Sequence, residues 1–310
     1  MLTEISKETY RSHFTEDPHP YVTEGFIDLV KQKTEKVVHL ITNEGNISLG
    51  LIAGLKDNEL SSPFSAPFGG FHYTHDDVFY SEIFNFLAQL KEYAVDQHLN
   101  KMSFILPPNI YNCSINAKFV NAFVRQGYTM EIPDLVSWID LNRFDGTWKR
   151  KRIAENCKSA IKNNLTFSLV TDEKSMKESY EVIVNNRTQL GREIFMSFDD
   201  LMDVNRLFPV DFFLVKNKED DNIGAAIFYR GHPKIVQGIF WGDIIPRTSI
   251  GIMDFLVFNL FIHYKNLGFD YIDLALSSKS GIPNEGLTRF KETHQCTSSL
   301  RYTITWTPDI

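Results

Sequence analysis

The chain has 310 residues, 43% hydrophobic and 23% charged, the balance of an ordinary globular protein. Its formal net charge of −7 works against broad nucleic-acid binding but leaves room for a local basic face. No run of about 18 uncharged apolar residues exists, so no membrane span is expected. MLTEISKETYRSHF lacks the basic-then-apolar pattern of a secretory leader. Cys113, Cys157 and Cys296 are too few and too far apart for a disulfide or metal framework, so no metal is expected and a cytoplasmic location fits.

Residues 1–36 read as a loop with Pro18 and Pro20, then a helix in GFIDLVKQKT. Val37–Leu55 alternates and is broken by NEGN, a hairpin turn signal. The loop SSPFSAPFGGF follows, then a helix over roughly 76–98 capped at Asp76 or Asp77, with Val78, Ile83, Phe86, Leu87, Leu90 and Tyr93 as its apolar stripe. The strand KMSFILPP, a helix near 114–126 and the strand YTMEIPDLVSWIDL complete the first half. The 25 phenylalanines are spread through both halves, as in aromatic cores rather than one binding strip.

The link between halves is the most basic stretch. Lys149, Arg150, Lys151, Arg152, Lys158 and Lys162 lie on a helix whose apolar face is Trp148, Ile153, Cys157, Ala160 and Ile161, with Thr147 placed to cap it. Two readings stay open: a solvated face, or a contact for the phosphates of a nucleotide, coenzyme or RNA. A second helix is capped by Asp172, turns Met176, Tyr180, Ile183, Val184 and Leu190 inward, and stops at Gly191.

The second half repeats the programme: FFLVKN, IGAAIFY, KIVQGIFWG, the loop DIIPRTSIG, a helix over roughly 250–267, FDYIDLAL, NEGLTRFKETH and LRYTITW. Gly127 and Gly268 each close a helix ahead of a strand. Repetition of a whole unit argues for two α/β domains with mixed sheets, 1–145 and 146–310, the second opened by the basic helix. Duplicated domains tend to hold a ligand cleft at or between the repeats.

Chemistry is expected where strand meets helix. The N-terminus of the 250–267 helix presents free N–H groups suited to a phosphate. Arg247 adds charge, Thr248 and Ser249 add hydroxyls, and Gly251 allows close approach; a plain loop capped by Ser249 is the other reading. Ser277 and Lys279 lie beyond the carboxyl end of the last long strand, where ligands of open α/β sheets gather. Asp273 is either a buried structural carboxylate or a site group. Asn284, Arg289 and Lys291 open a short helix, and Lys291 is a candidate to face an anionic ligand. In the first half, His72 and Tyr73 follow a Gly-Gly loop containing Phe68 and are acceptor-side candidates, His72 reading equally well as a hairpin residue. Asp243 is a candidate base or a loop cap.

The run from Trp241 to Cys296 resembles the C-terminal half of FemAB-like proteins, tandem relatives of the GNAT acyltransferases. Gly286, Leu287, Phe290 and Lys291 match a terminal Gly-Leu-x-x-Phe-Lys helix, Asp273 and Leu274 match the strand before it, and Gly268 matches the turn. The Lys149–Lys162 helix is similar to the basic segment that opens the second domain there. The resemblance implies tandem GNAT-like domains and transfer of an acyl group to an amine. The expected donor is acetyl-coenzyme A or another acyl-coenzyme A, with aminoacyl-tRNA as the alternative kept open by Lys149–Lys162. The acceptor is an amine of a small molecule, sugar or cell-wall precursor. The resemblance also assigns Phe240, Trp241, Gly242 and Gly251 to the donor, with a bulge in Ile239–Gly242 splaying the strand and aiming its N–H groups at the oxyanion. His294-Gln295-Cys296 stands where relatives have a Phe-Gly step, and Asp273–Ser277 lacks their glycines. A non-catalytic binding protein that kept the fold is therefore the further alternative.

Overall fold

The computed structural model describes residues 1–42, 47–244 and 250–308. Two compact units are built from them. Unit 1 is Met1–Leu135 with Lys279–Ile282 and the run from Ser299; unit 2 is Val136–Ser278 with Pro283–Ser298.

Unit 1 contains β1 (Leu2–Glu4), α1 (Lys7–His13), α2 (Glu24–Val30), β2 (Lys36–Thr42), β3 (Leu49–Lys56), β4 (Glu59–Ser62), β5 (Phe71–Tyr73), α3 (Tyr80–Asp96), β6 (Lys101–Ile105), α4 (Asn109–Arg125) and β7 (Thr129–Met130). β8 (Asp134–Asp140) carries the chain onward. Then come α5 (Lys151–Lys162), β9 (Thr166–Val170), α6 (Glu173–Gln189), α7 (Phe198–Asn205), β10 (Val210–Lys216), β11 (Asn222–Tyr229), β12 (Ile235–Asp243), α8 (Ile252–Asn266) and β13 (Tyr271–Leu276). The short β14 (Ser278–Lys279) and β15 (Ile282–Pro283), α9 (Glu285–Thr293), β16 (Thr297–Arg301) and β17 (Thr303–Trp306) finish it.

One sheet runs β1-β2-β3-β4-β6-β17-β7, with β5 also on β3; the other runs β16-β8-β13-β12-β11-β10-β9. The last strand of the first half, β8, therefore belongs to the second sheet, and the last strand of the chain, β17, sits between β6 and β7 of the first. This exchange places the compact division at Leu135/Val136 and returns the C-terminal run to unit 1, whereas the linear repeat suggested 1–145 and 146–310.

The central strands read as near-continuous apolar runs because both faces are covered. β3, LGLIAGLK, is buried over its first six residues, and β10 and β11 are buried almost throughout. α8 is apolar on nearly all sides, and Ile252, Phe255, Leu256, Val257, Leu260, Phe261 and Tyr264 all enter the unit 2 core. Each such side chain contributes about 1.5–3 kcal/mol by leaving water.

Gly127, Gly191 and Gly268 take positive φ, +76°, +62° and +83°, and close α4, α6 and α8. Each carries the paired bonds of a Schellman stop: after α6, Gly191 N–H donates to Thr188 O and Arg192 N–H to Arg187 O, at 3.0 and 2.9 Å. Asp172 caps α6 as expected, although Leu190 is exposed rather than inward. Two expected caps differ. α3 begins after Phe79, whose N–H is taken by Glu82 Oε2 at 2.8 Å, so Asp76 and Asp77 stay outside the helix. α5 begins after Arg150 without a side-chain cap, because the Thr147 hydroxyl donates to Asp145 instead. The NEGN turn lies outside the described residues.

Candidate functional site

The site is built around the end of β12. β12 pairs with β11 along its length, with a register shift that leaves Ile239 as the extra residue between Gly238 and Phe240. The bulge therefore falls within Ile239–Gly242, the segment named from sequence. On its other side β12 pairs with parallel β13 only at Ile235, Val236 and Gln237, and no further pair forms between them among the described residues. The two strands splay, and backbone groups on that side of Gly238–Asp243 have no partner from β13.

β12 alternates at this end. Trp241 turns toward α9, its ring 5.7 Å from that of Phe290. Gly242 turns toward α6, where a Cβ would lie 2.8 Å from Asn186 Cγ. Asn186 donates to the Asp243 carbonyl at 2.7 Å and seats α6 on the strand end. Gly251 was expected to admit a ligand. In the fold it takes φ +78°, and a Cβ there would meet the Asn156 carbonyl oxygen at 2.6 Å, so the space belongs to the backbone of α5.

Three helices are tied at one point below the splay. Asn156 of α5 donates to Asp254 Oδ2 at 2.6 Å, and His294, at the end of α9, lies 2.8 Å from Asp254 Oδ1 through Nε2. His294 Nδ1 is 2.7 Å from the Phe290 carbonyl. Both ring nitrogens meet oxygen atoms, Nδ1 also lying 3.4 Å from the Thr293 hydroxyl. Cys157 sits beside this knot, and burial pushes its thiol up to about 11, as expected of a packed rather than reactive cysteine.

Over the knot opens a pocket of about 1160 Å³. Arg150, Lys151 and Arg152 reach it from the start of α5, Arg187 and Arg192 from the end of α6, and Arg289 from α9. Lys151 has Glu155 at 3.8 Å. Among the described residues the five arginines make no ion pair. Arg187 holds its guanidinium 6.0 Å from the Phe240 ring, its Nε is buried without a hydrogen-bond partner, and burial with the nearby Arg192 charge lowers its pKa. Crowded, uncompensated cations are costly unless an anion joins them. Asp243 and Asp254 are the lining carboxylates, and Asp254 is already held by His294 and Asn156.

The expected site residues divide. Trp241, Gly242, Asp243, Gly251 and Asn284 line this pocket, though Asn284 spends its side chain capping α9 through Leu287 N–H. Phe240 is buried on the α6 side. Arg247, Thr248 and Ser249 lie outside the described residues. Asp273 is buried and structural in its contacts: it accepts from Ala275 N–H and Gln237, holding Ala275 at φ +57° where β13 breaks register. Lys291 does not face a ligand. It is 1% exposed and donates to the carbonyls of Leu274, Ala275 and Leu276 and to Ser277 Oγ at 2.8–3.1 Å. Ser277 is likewise consumed, sharing a hydrogen bond with Ser137. The missing glycines of Asp273–Ser277 thus leave a bulge clamped by an ammonium group.

Lys279 falls in unit 1 and is exposed. His72 is 0% exposed on β5, with Nδ1 3.0 Å from the Tyr10 hydroxyl and Nε2 3.0 Å from Asp17. Phe68 is buried against His19, Tyr21 and Tyr111. Tyr73 is half-buried beside a hollow of about 20 Å³. Among the described residues no group of three His, Cys, Asp or Glu side chains is placed to hold a metal, and no helix is long and apolar enough to cross a membrane.

Arg187, Arg192 and Asp254 were not singled out from sequence, and His294 was named only as a departure from the relatives' pattern. Arg187 and Arg192 flank Gly191, and a Schellman stop brings those two positions together, a signal readable from the glycine alone.

No family model matches the chain, and no curated protein matches it in sequence. Its fold is similar to solved structures. FemX aligns at TM-score 0.69 and 9% identity over 99% of this chain and 97% of that one. The C-terminal domain of a lysylphosphatidylglycerol synthetase from Agrobacterium fabrum aligns at 0.60 and 12%, over 98% and 93%. A tandem GNAT protein from the clavulanic acid biosynthesis pathway aligns at 0.55 and 9%, over 100% and 99%. The tandem GNAT-like fold expected from the sequence is the fold of this chain.

Proposed function

We propose that this protein is an acyl- or aminoacyltransferase whose phosphate-bearing donor sits in the basic pocket of unit 2. One observation carries the reading: five arginines that make no ion pair among the described residues surround the splayed, bulged end of β12. Phosphate oxygens supply the missing charge, and guanidinium groups match them two bonds at a time.

The chemistry asks little of the protein beyond placement. The lone pair of an amine attacks the donor carbonyl; a C–N bond forms, and the C–S or C–O bond to the carrier breaks. The amine loses one proton, and the carrier leaves as thiol or hydroxyl. N–H groups on the side of β12 that β13 has left are suited to the oxyanion. Asp243, buried at the strand end and lining the pocket, is placed to take the amine proton.

Of the two donors, aminoacyl-tRNA is favoured by the spread of cations over three elements and by a second hollow of about 500 Å³ sharing Arg150 and Arg289. Acyl-coenzyme A remains the second reading, favoured by the acidic chain as a whole, whose charge of −7 resists extensive RNA contact.

The test is a thermal-shift titration with acetyl-coenzyme A and with a bulk tRNA preparation. A saturable shift with either, lost in Arg150→Ala/Arg289→Ala, supports the pocket and selects the donor. No shift with either sinks the transferase reading in favour of a protein that kept only the fold. A shift untouched by the double variant moves the donor elsewhere.

A further inference from the structure

Phe195 is 81% exposed, more than any other large apolar side chain of the described residues. It does not hang from a slack loop. On one side the chain is fixed by the Schellman bond from Arg192 N–H to Arg187 O. On the other, the next residue, Met196, has its carbonyl bonded by the Tyr180 hydroxyl at 2.8 Å and its sulfur by the Tyr229 hydroxyl at 3.7 Å. Ser197 then caps α7 in a reciprocal box with Asp200. An aromatic ring is thus held out in water by an anchored backbone.

The ring has a direction. Its centroid is 5.9 Å from that of Phe240, tilted by 50°, and the Arg187 guanidinium lies 6.0 Å from the Phe240 ring. Arg192, three residues before Phe195, lines the pocket beside Arg187. A flat apolar face followed by two unneutralised guanidinium groups complements one kind of ligand: a flat heteroaromatic ring carrying phosphates. Bases stack on an exposed aromatic face whatever their sequence, and arginines meet the phosphates beside it. Coenzyme A and the 3′ end of tRNA share such a group, an adenosine bearing phosphate.

We infer that Phe195 is the stacking platform for the adenine of the donor, with Arg187 and Arg192 on its phosphates. This rests on the donor-site reading above and adds the residue that reads the base.

The experiment uses the full chain and calorimetric titration with adenosine 3′,5′-bisphosphate, and separately with inorganic pyrophosphate. Wild-type protein is expected to bind the nucleotide more tightly than pyrophosphate. Phe195→Leu keeps apolar area but removes the π face, and is expected to weaken the nucleotide roughly tenfold while leaving pyrophosphate unchanged. Phe195→Trp is expected to restore binding. The exposure of Phe195 makes misfolding of these variants no explanation, and an unchanged melting midpoint confirms it. If Phe195→Leu binds the nucleotide as wild type does, the stacking role is overturned while the donor site stands. If neither nucleotide nor pyrophosphate binds, the donor-site reading fails and this inference with it. Repeating the series with coenzyme A and with a short RNA ending in CCA identifies the source: the one weakened by Phe195→Leu supplies the adenosine, and loss of effect on both overturns the assignment.

Discussion

Units 1 and 2 follow one order of elements and finish the same junction differently. In unit 2, β12 is continuous, bulged at Ile239, and parts from β13 after Gln237. In unit 1 the equivalent strand is interrupted. β4 pairs with β6 from Glu59 to Ser62, the chain leaves the sheet, and β5 resumes on β3. The excursion refills the gap, since Gly69 N–H donates to Ile105 O at 3.0 Å and Phe68 packs among His19, Tyr21 and Tyr111. Charge diverges too. The approach to α3 carries exposed Asp76 and Asp77, whereas arginines line the pocket at the start of α8. The hollows described within unit 1 hold about 20 and 10 Å³, against about 1160 Å³. A duplicated fold therefore does not duplicate a site. Continuity of one strand and the sign of charge beside one helix separate the two copies.

The largest expected effect tests how each unit caps the strand beside its junction. In unit 2, Lys291 gathers three carbonyls and Ser277; in unit 1, Asn116 of α4 donates to the Pro107 carbonyl at 2.7 Å. Both are buried helix residues that satisfy backbone carbonyls at or just beyond the end of a parallel strand. Lys291→Met strands several carbonyls and is expected to cost about 3–5 kcal/mol, measured by urea unfolding; Asn116→Leu strands one and is expected to cost about 1–3 kcal/mol. Burial lowers the Lys291 pKa from 10.5 to about 8. Between those values the unfolded chain binds more protons than the folded one, so stability gains with rising pH across that window. Wild type is expected to gain on Lys291→Met there. Equal pH profiles for the two proteins would show that Lys291 keeps its proton as it does in water.

The second effect concerns charge. Arg150→Glu/Arg289→Glu is expected to lower donor affinity on the order of 100-fold. Asp76→Lys/Asp77→Lys, which makes the approach to α3 basic, is expected to create no second site, because Phe68 and the Gly69 bond still fill that junction. Binding stoichiometry by calorimetry checks it. A second equivalent of donor in the lysine variant would mean that charge alone, not strand continuity, separates the units.

Much of this was legible in the sequence. Two turns of one programme, the glycine stops and the basic helix follow from local rules of period, turn chemistry and composition, while the bulge in Ile239–Gly242 came only from the family resemblance. What failed was long-range. Nothing local says that β8 and β17 change sheets, since either sheet offers an apolar strand the same reward. Lys291 and Ser277 carry the residue types of a binding site, yet an irregular strand end needs an ammonium donor as much as a phosphate does. Gly251 was rightly marked for close approach, but the partner was Asn156. Asp254 and His294 stand 40 residues apart, a separation no periodicity connects.

The smallest effect sharpens the comparison at its histidines, because each unit holds a buried one paired with an aspartate. His294 meets Phe290 O and the Thr293 hydroxyl on one nitrogen and Asp254 on the other. His72 meets Asp17 on one nitrogen and the Tyr10 hydroxyl on the other, so a neutral ring is fully satisfied, donating to Asp17 and accepting from Tyr10. Burial lowers the His72 pKa from 6.5, with Asp17 pulling the other way and Arg11 adding to the fall. Neighbouring His39 is lowered as well, first by burial and then by His72. Below pH 6.5 the unfolded chain therefore binds more protons than the folded one, and stability contributed by the neutral ring is lost as pH falls. Wild type is expected to lose about 1 kcal/mol more than His72→Asn between about pH 7.5 and about pH 5.5, read from urea midpoints. His294→Asn is expected to retain the wild-type acid loss, because it leaves the Tyr10–His72–Asp17 chain untouched. An equal acid loss in all three proteins would mean that His72 takes up its proton in the folded state, and the Tyr10–His72–Asp17 chain would then have to open to accept it.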